Sequence, residues 1–125
     1  MNNTHSTGTE RYLFVYDVLH KIFPYLLRNI LIERPNQAWA VDLTYIKLNG
    51  HWVYCVAIID IFSRKIMGWS VSTGSDVKMC LEALEMALKK AVPEIINSDR
   101  GCQFTNNEWI QTVVSRGIKV SMDGV

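Results

Sequence analysis

From residue 37 onward, apolar positions recur with two different periods, and the change of period divides the chain. AWAVDLTYIKL, Ala38 to Leu48, is rich in aromatic and β-branched residues and lies between Pro35 and Asn49-Gly50, so it reads as a strand closed by a tight hairpin turn. HWVYCVAIIDI over residues 51–61 is an almost unbroken apolar run, the pattern of a strand buried on both faces. After the short Phe62-Ser63-Arg64 turn, KIMGWSVST over residues 65–73 predicts a third strand. The three make an antiparallel meander.

Between Ser75 and Ala91 the period becomes helical. Val77, Leu81, Leu84 and Leu88 fall on one face with Cys80 and Ala87 beside them, and Lys78, Glu82, Glu85 and Lys89 take the other. Ser75 or Asp76 caps the start, Glu85 precedes Lys89 by one turn, and Pro93 blocks continuation. Met79 and Met86 are expected to pack in the core. Residues 94–97 then form a short strand, placed parallel to an earlier one by a right-handed crossover, with Asp99 at its carboxyl end. Thr105 with Glu108 predicts a capping box for a helix over residues 106–116 that stops at Gly117, and residues 118–121 return as a fifth strand.

Upstream the signal is weaker. The first ten residues are polar and expected to be disordered or frayed, and they have no basic region of a secretory signal. Residues 12–32 are apolar, but Asp17, His20, Lys21, Pro24 and Arg28 interrupt them, which argues against a membrane span. A short helix over residues 11–22 followed by an extended arm is the expected arrangement. The chain therefore divides into residues 1–36, a tail, helix and arm, and residues 37–125, a single folded domain.

Charge narrows the partners. Thirteen basic and twelve acidic side chains give a net charge of +1, so no overall field draws the chain to a polyanion or a membrane surface. Nucleic-acid contact must come from a local patch. Cys55, Cys80 and Cys102 are an odd set without a C-x-x-C pair, and His5, His20 and His51 are scattered, which argues against disulfides and zinc and fits a reducing cytoplasm.

Two carboxylates stand out from this frame. Aspartate is depleted from strands, and desolvating a lone one costs several kcal/mol without compensation, so Asp42 in the first strand needs a partner. Asp99 sits beyond a strand end, where reactive groups collect in open α/β sheets. If the two converge, their repulsion is relieved by a divalent cation between them, and oxygen-only ligands suit Mg²⁺ or Mn²⁺. The alternative is that Asp99 opens the Asp-Arg-Gly turn while Asp42 pairs with a lysine such as Lys47. Spacing alone does not separate these. A strand-end turn accounts for Asp60 and a helix cap for Asp76.

Three ordered motifs then carry a resemblance. RPNQAWAVDLTYI at residues 34–46, AIIDIFSRKIMGWS at residues 57–70 and NSDRGCQFT at residues 97–105 resemble the integrase-type catalytic core of bacterial insertion-sequence transposases, and HKIFPYLLRN at residues 20–29 is similar to the arm before that core. The resemblance implies a ribonuclease-H-like α/β fold: a five-stranded mixed sheet with helices on both faces. It also implies an Asp-Asp-Glu triad binding Mg²⁺ or Mn²⁺ for DNA cleavage and strand transfer. Asp42 matches the first carboxylate and Asp99 the second, as catalytic residues and metal ligands. Asn97 stands where such cores commonly have a histidine. Lys47, Arg64, Lys65, Arg100 and Lys119 are candidates to line a phosphate path beside the carboxylates, with a solvated rim as the alternative; Trp52 or Trp69 could stack on bases, but both are expected in the core.

The resemblance places the third carboxylate, a glutamate, farther beyond Asp99 than this chain extends, and neither Glu108 nor Asp123 lies in its motif. The expected state is an incomplete core, weakly active or inactive, lacking its last helix. The sheet surface which that helix would cover makes marginal stability or self-association the expected consequence, at roughly 25 cal/mol per Å² of apolar area. DNA, in the form of transposon ends and target, is the implied partner. A non-catalytic module that associates with full-length transposase is the alternative function, and an unrelated nuclease of the same fold is disfavoured by the Trp-Ala-Val-Asp and Ser-Asp-Arg-Gly motifs.

Overall fold

The computed structural model describes residues 23–123; the helix expected over residues 11–22 lies outside them. The elements run β1 Ala38–Leu48, β2 His51–Asp60, β3 Ile66–Ser72, α1 Val77–Leu88, β4 Ile95–Ser98, α2 Asn107–Ser115 and β5 Lys119–Met122. Every strand and helix expected after residue 37 is present.

The strands form one five-stranded sheet in the order β3-β2-β1-β4-β5. β1, β2 and β3 pair antiparallel, joined first by Asn49-Gly50, whose φ angles of 51° and 79° make the left-handed pair that a two-residue hairpin requires. β4 lies parallel to β1, and β5 parallel to β4. The crossovers through α1 and α2 step the chain across the sheet in one direction. Both helices consequently lie on the same face, and among the described residues no helix covers the other, as expected of a core lacking its last helix.

Gly68 fixes which face this is. A Cβ there would collide with the Ala83 carbonyl and lie 3.0 Å from the Ala87 nitrogen and Cβ, so α1 rests directly on β3. Gly68 pairs with Ile58, and Ile58 with Val41; alternation then turns Trp39, Val41 and Leu43 of β1 towards the helices. Ile96, Val120 and Met122 join the same core, with Leu84 of α1 and Trp109, Ile110 and Val113 of α2. The buried stripe of α1 is centred on Cys80, Leu84 and Ala87, close to the expected one; Met79 is buried, but Met86 is 36% exposed and lies outside the core.

The caps show one difference. Asp76 caps α1 as expected, its carboxylate accepting from the Met79 N–H. For α2 the cap is Asn106, which accepts from the Glu108 N–H at 2.7 Å, while the Thr105 hydroxyl turns back to the Gly101 carbonyl. Asn is at least as good a cap as Thr, and it wins by one position.

The opposite face is covered over only part of its width. Past Phe23, the arm crosses β5 and β4: the Leu26 N–H donates to Ser121 Oγ at 2.8 Å, and the Met122 N–H to the Pro24 carbonyl at 3.1 Å. Over β1, β2 and β3 nothing covers that face among the described residues. Ile46, Ile66, Trp69 and Val71 are exposed there, and β2, expected to be buried on both faces, is buried only at Val56, Ile58 and Asp60 on its helix side.

Candidate metal centre

Asp42 lies in the middle of β1, and Asp99 one residue past the end of β4. The parallel register ends on the pair Ala40 and Asn97, two residues before Asp42 on one strand and two before Asp99 on the other. Both carboxylates are exposed, and alternation turns Asp42 to the face away from the helices. Among the described residues Asp42 has no ion pair. The lysine weighed against this site, Lys47, points elsewhere: its ammonium lies 5.7 Å from the centroid of the Trp52 ring.

Asp99 is held by its own turn. Its Oδ1 accepts from the Gly101 N–H at 2.6 Å, and a Cβ on residue 101 would stand 2.8 Å from that oxygen and 3.0 Å from Gln103 Oε1. A side chain at 101 would therefore have to displace the ends of Asp99 and Gln103, so glycine suits the turn as it stands. Nearby Cys80 is no competitor for a metal. Burial, with the charges of Asp76 and Asp99 and Cys102 adding to it, pushes its thiol up to about 12, so it stays protonated and inert.

Asn97 is buried and structural. It accepts from the Ser121 hydroxyl at 2.7 Å and donates to Asp123 Oδ1 at 3.1 Å. Asp123 is the next carboxylate in the same row, since Ser98 is level with Met122, but this hydrogen bond ties it back towards Asn97. The motifs do not single it out; only the parallel pairing of β5 with β4 does. No group of three or more His, Cys, Asp or Glu side chains among the described residues is arranged to hold a metal ion. Two exposed carboxylates nevertheless fit a hard dication of the Mg²⁺ kind, which takes one or two carboxylates and keeps its remaining positions for water and phosphate oxygens.

The candidate cations are dispersed. Arg100 adjoins Asp99, its guanidinium 3.5 Å from the Phe23 carbonyl oxygen. Arg64 and Lys65 occupy the β2–β3 turn, level with the start of β1, because an antiparallel hairpin brings the chain back to the pole it left. Lys119 pairs with Ile95 at the same pole, where Arg34, Glu94, Ile30 and Lys119 line a cleft of about 640 Å³ under the arm. There the Arg34 guanidinium, hydrogen-bonded to Glu94, holds that carboxyl below the usual range. Four of the five cations thus lie away from the carboxylates, about 10 Å along the strands at 3.3 Å per residue for Arg64 and Lys65.

Both tryptophans expected in the core are outside it. Trp69 is 54% exposed on the uncovered face, and Trp52 45% exposed near the β1–β2 turn. The buried indoles are those of Trp39 and Trp109. Hydrophobicity alone does not say which face of a sheet is covered.

Comparison with known proteins places this arrangement. A family profile described as integrase core domain matches residues 32–125. The chain is 34% identical over 91 residues to transposase InsF for insertion sequence IS3A of Escherichia coli (strain K12), covering 70% of this chain and 32% of that protein. It is 35% identical over 96 residues to the transposase for insertion sequence element IS629 of Shigella sonnei, covering 75% and 32%. The chain thus spans about a third of the length of these curated relatives. Among solved structures, the HTLV-2 integrase catalytic core domain in complex with magnesium aligns with a TM-score of 0.65 and 26% identity over 72% of this chain and 61% of that one. An intasome of simian T-cell lymphotropic virus aligns with a TM-score of 0.66 and 20% identity over 95% and 45%, a likeness of fold alone. The fold is ribonuclease-H-like, and the chain belongs to the integrase core domain family, of the type found in insertion-sequence transposases.

Proposed function

We propose that the chain supplies part of the catalytic core for DNA cleavage and strand transfer in transposition, with Asp42 and Asp99 as ligands of Mg²⁺ or Mn²⁺. The observation that carries this reading is the parallel register of β1 and β4, whose last pair, Ala40 and Asn97, stands two residues before an exposed carboxylate on each strand. A bound dication lowers the pKa of water and stabilises charge on phosphodiester oxygens. The chain's own part is to hold two negative oxygens in place, Asp99 through the Gly101 N–H and Asp42 through the β-ladder on β2. Arg100, beside Asp99 in sequence, is the basic candidate that in this reading contacts a phosphate. Of the other basic candidates, Arg64, Lys65 and Lys119 act in this reading as distant contacts of a long duplex, and Lys47 as a contact on the β1–β2 hairpin. Residues 1–36 serve as tail and arm, and residues 37–125 as the core.

In this reading Asp42 and Asp99 by themselves support slow turnover. Nicking of supercoiled DNA in Mn²⁺ is the test. Slow nicking that disappears in the Asp42→Ala/Asp99→Ala variant is the expected result; nicking that survives the double substitution contradicts the assignment.

The uncovered apolar face over β1, β2 and β3 favours a second reading, an interaction module that binds another copy of the chain or a full-length transposase. A folded chain that nicks nothing but is retained by intact transposase supports this reading over the catalytic one.

A further inference from the structure

The β1–β2 hairpin extends past the rest of the sheet. β4 pairs with β1 only at residues 38–40, and β3 pairs with β2 only from Tyr54 onward, so among the described residues Tyr45–Leu48 and His51–Val53 form a two-stranded ribbon without a third strand. Its helix-side surface is aromatic. Tyr45 is 63% and Trp52 45% exposed, with ring centroids 5.4 Å apart in a T-shaped pair, and Tyr54 lies 6.1 Å from Tyr45 at the root. Lys47 places its ammonium over the Trp52 ring.

The charge of the ribbon is one-sided. No carboxylate occurs between Asp42 and Asp60, while Lys47 and His51 both lie on the ribbon. Large aromatic surfaces held out in water, next to a cation and away from any acid, fit a partner with flat π faces and negative charge. A protein groove would satisfy the rings but gives no reason for the missing acids.

We propose that this ribbon docks single-stranded DNA: unpaired bases stack on Tyr45 and Trp52, and Lys47, with His51 near the turn, faces the phosphates. The proposal rests on the reading of DNA as the substrate of the Asp42/Asp99 centre and extends it to the bases flanking the reacting phosphate. Tyr45 is three residues from Asp42 on the same strand, about 10 Å away at 3.3 Å per residue. The two side chains point to opposite faces, but the β1 edge is free of β4 beyond Ala40, so a strand can pass over it from one face to the other. The strong twist of a two-stranded ribbon assists that path.

Fluorescence gives a direct test. Trp39 and Trp109 are buried, so in a Trp69→Phe background the indole open to a ligand is Trp52. Titration with an oligothymidylate of about ten nucleotides, within the site size of single-strand platforms, is expected to quench it, and a blunt duplex of equal length to quench it less. Tyr45→Ala/Trp52→Ala is expected to weaken oligothymidylate binding, followed by anisotropy of a labelled strand, at least tenfold with an unchanged circular dichroism spectrum. Lys47→Ala is expected to lower the slope of log K against log salt by about 0.7. Equal binding by the aromatic double variant overturns the proposal, as does equal quenching by duplex. It is also overturned if the variant changes the sedimentation coefficient while keeping its DNA affinity, which assigns the ribbon to a protein contact. Run without metal, the titration is independent of Asp42 and Asp99. Quenching retained by Asp42→Asn/Asp99→Asn therefore supports the ribbon even where nicking fails, and a folded chain that binds neither oligonucleotide overturns the ribbon and leaves the Mn²⁺ question intact.

Discussion

Asp60 and the pair Asp42 and Asp99 are carboxylates in opposite situations. Asp60 is 1% exposed and accepts from the Asn36 N–H at 2.8 Å and the Ser63 N–H at 2.9 Å. Desolvation pushes its pKa up, but hydrogen bonds from the Ser63 hydroxyl and N–H and the Asn36 N–H outweigh that, and the carboxyl is held below the usual range. A depressed folded pKa contributes stability above the unfolded value near 4 and loses it as pH falls through the folded one. Asp60→Asn should therefore destabilise by about 1–3 kcal/mol at pH 7. In urea unfolding that gap should narrow between pH 4 and pH 2; a gap of constant size would mean that the charge on Asp60 contributes nothing. Asp42 and Asp99 stood out as candidates because aspartate is rare in strands and because their motifs carry a resemblance; spacing alone did not single them out. The exposure of Trp52 and Trp69 was not legible, because it depends on what covers each face, which no local pattern encodes.

At the scale of elements, the contact between α1 and β3 is the tightest join in the fold. Ala83 and Ala87 face Gly68, three small residues that let helix and strand backbones approach. Gly68→Ala should push the helix off the sheet and cost about 3 kcal/mol, at the upper end for overpacking, read as a fall in the urea midpoint. A loss under about 0.5 kcal/mol, the range of an ordinary surface substitution, would mean that the helix yields freely. The strand and helix order was readable because the apolar period changes from 2 to 3.6 between Thr73 and Val77, and because Asn49-Gly50 and Gly117 mark their turns. The cap of α2 fell on Asn106, one place beyond the capping box, since neighbouring Thr and Asn compete for the same role. Pairing of elements distant in sequence was harder to read: the row of Asp42, Asp99 and Asp123 exists only once β4 enters between β1 and β5.

For the molecule as a whole, coverage of the sheet decides behaviour. Two helices seal one face and the arm crosses β4 and β5, while Ile46, Ile66, Trp69 and Val71 stay exposed on the other. Contiguous apolar surface of this kind drives association. Sedimentation velocity should show a concentration-dependent shift from monomer to dimer, abolished by Trp69→Lys at the middle of the patch. A monomer at every concentration would mean that the face is tolerated in water. No helix among the described residues is long and apolar enough to cross a membrane.

In the function proposed above, Asp42 and Asp99 act together on one dication. Mn²⁺ titration of the purified chain, followed by the loss of the free-ion electron paramagnetic resonance signal, addresses it without requiring turnover. Saturable binding of one Mn²⁺ per chain, lost in both Asp42→Asn and Asp99→Asn and retained in Asp123→Asn, is the result we predict. Binding that survives either of the first two substitutions, or a folded chain that binds no Mn²⁺, would contradict it.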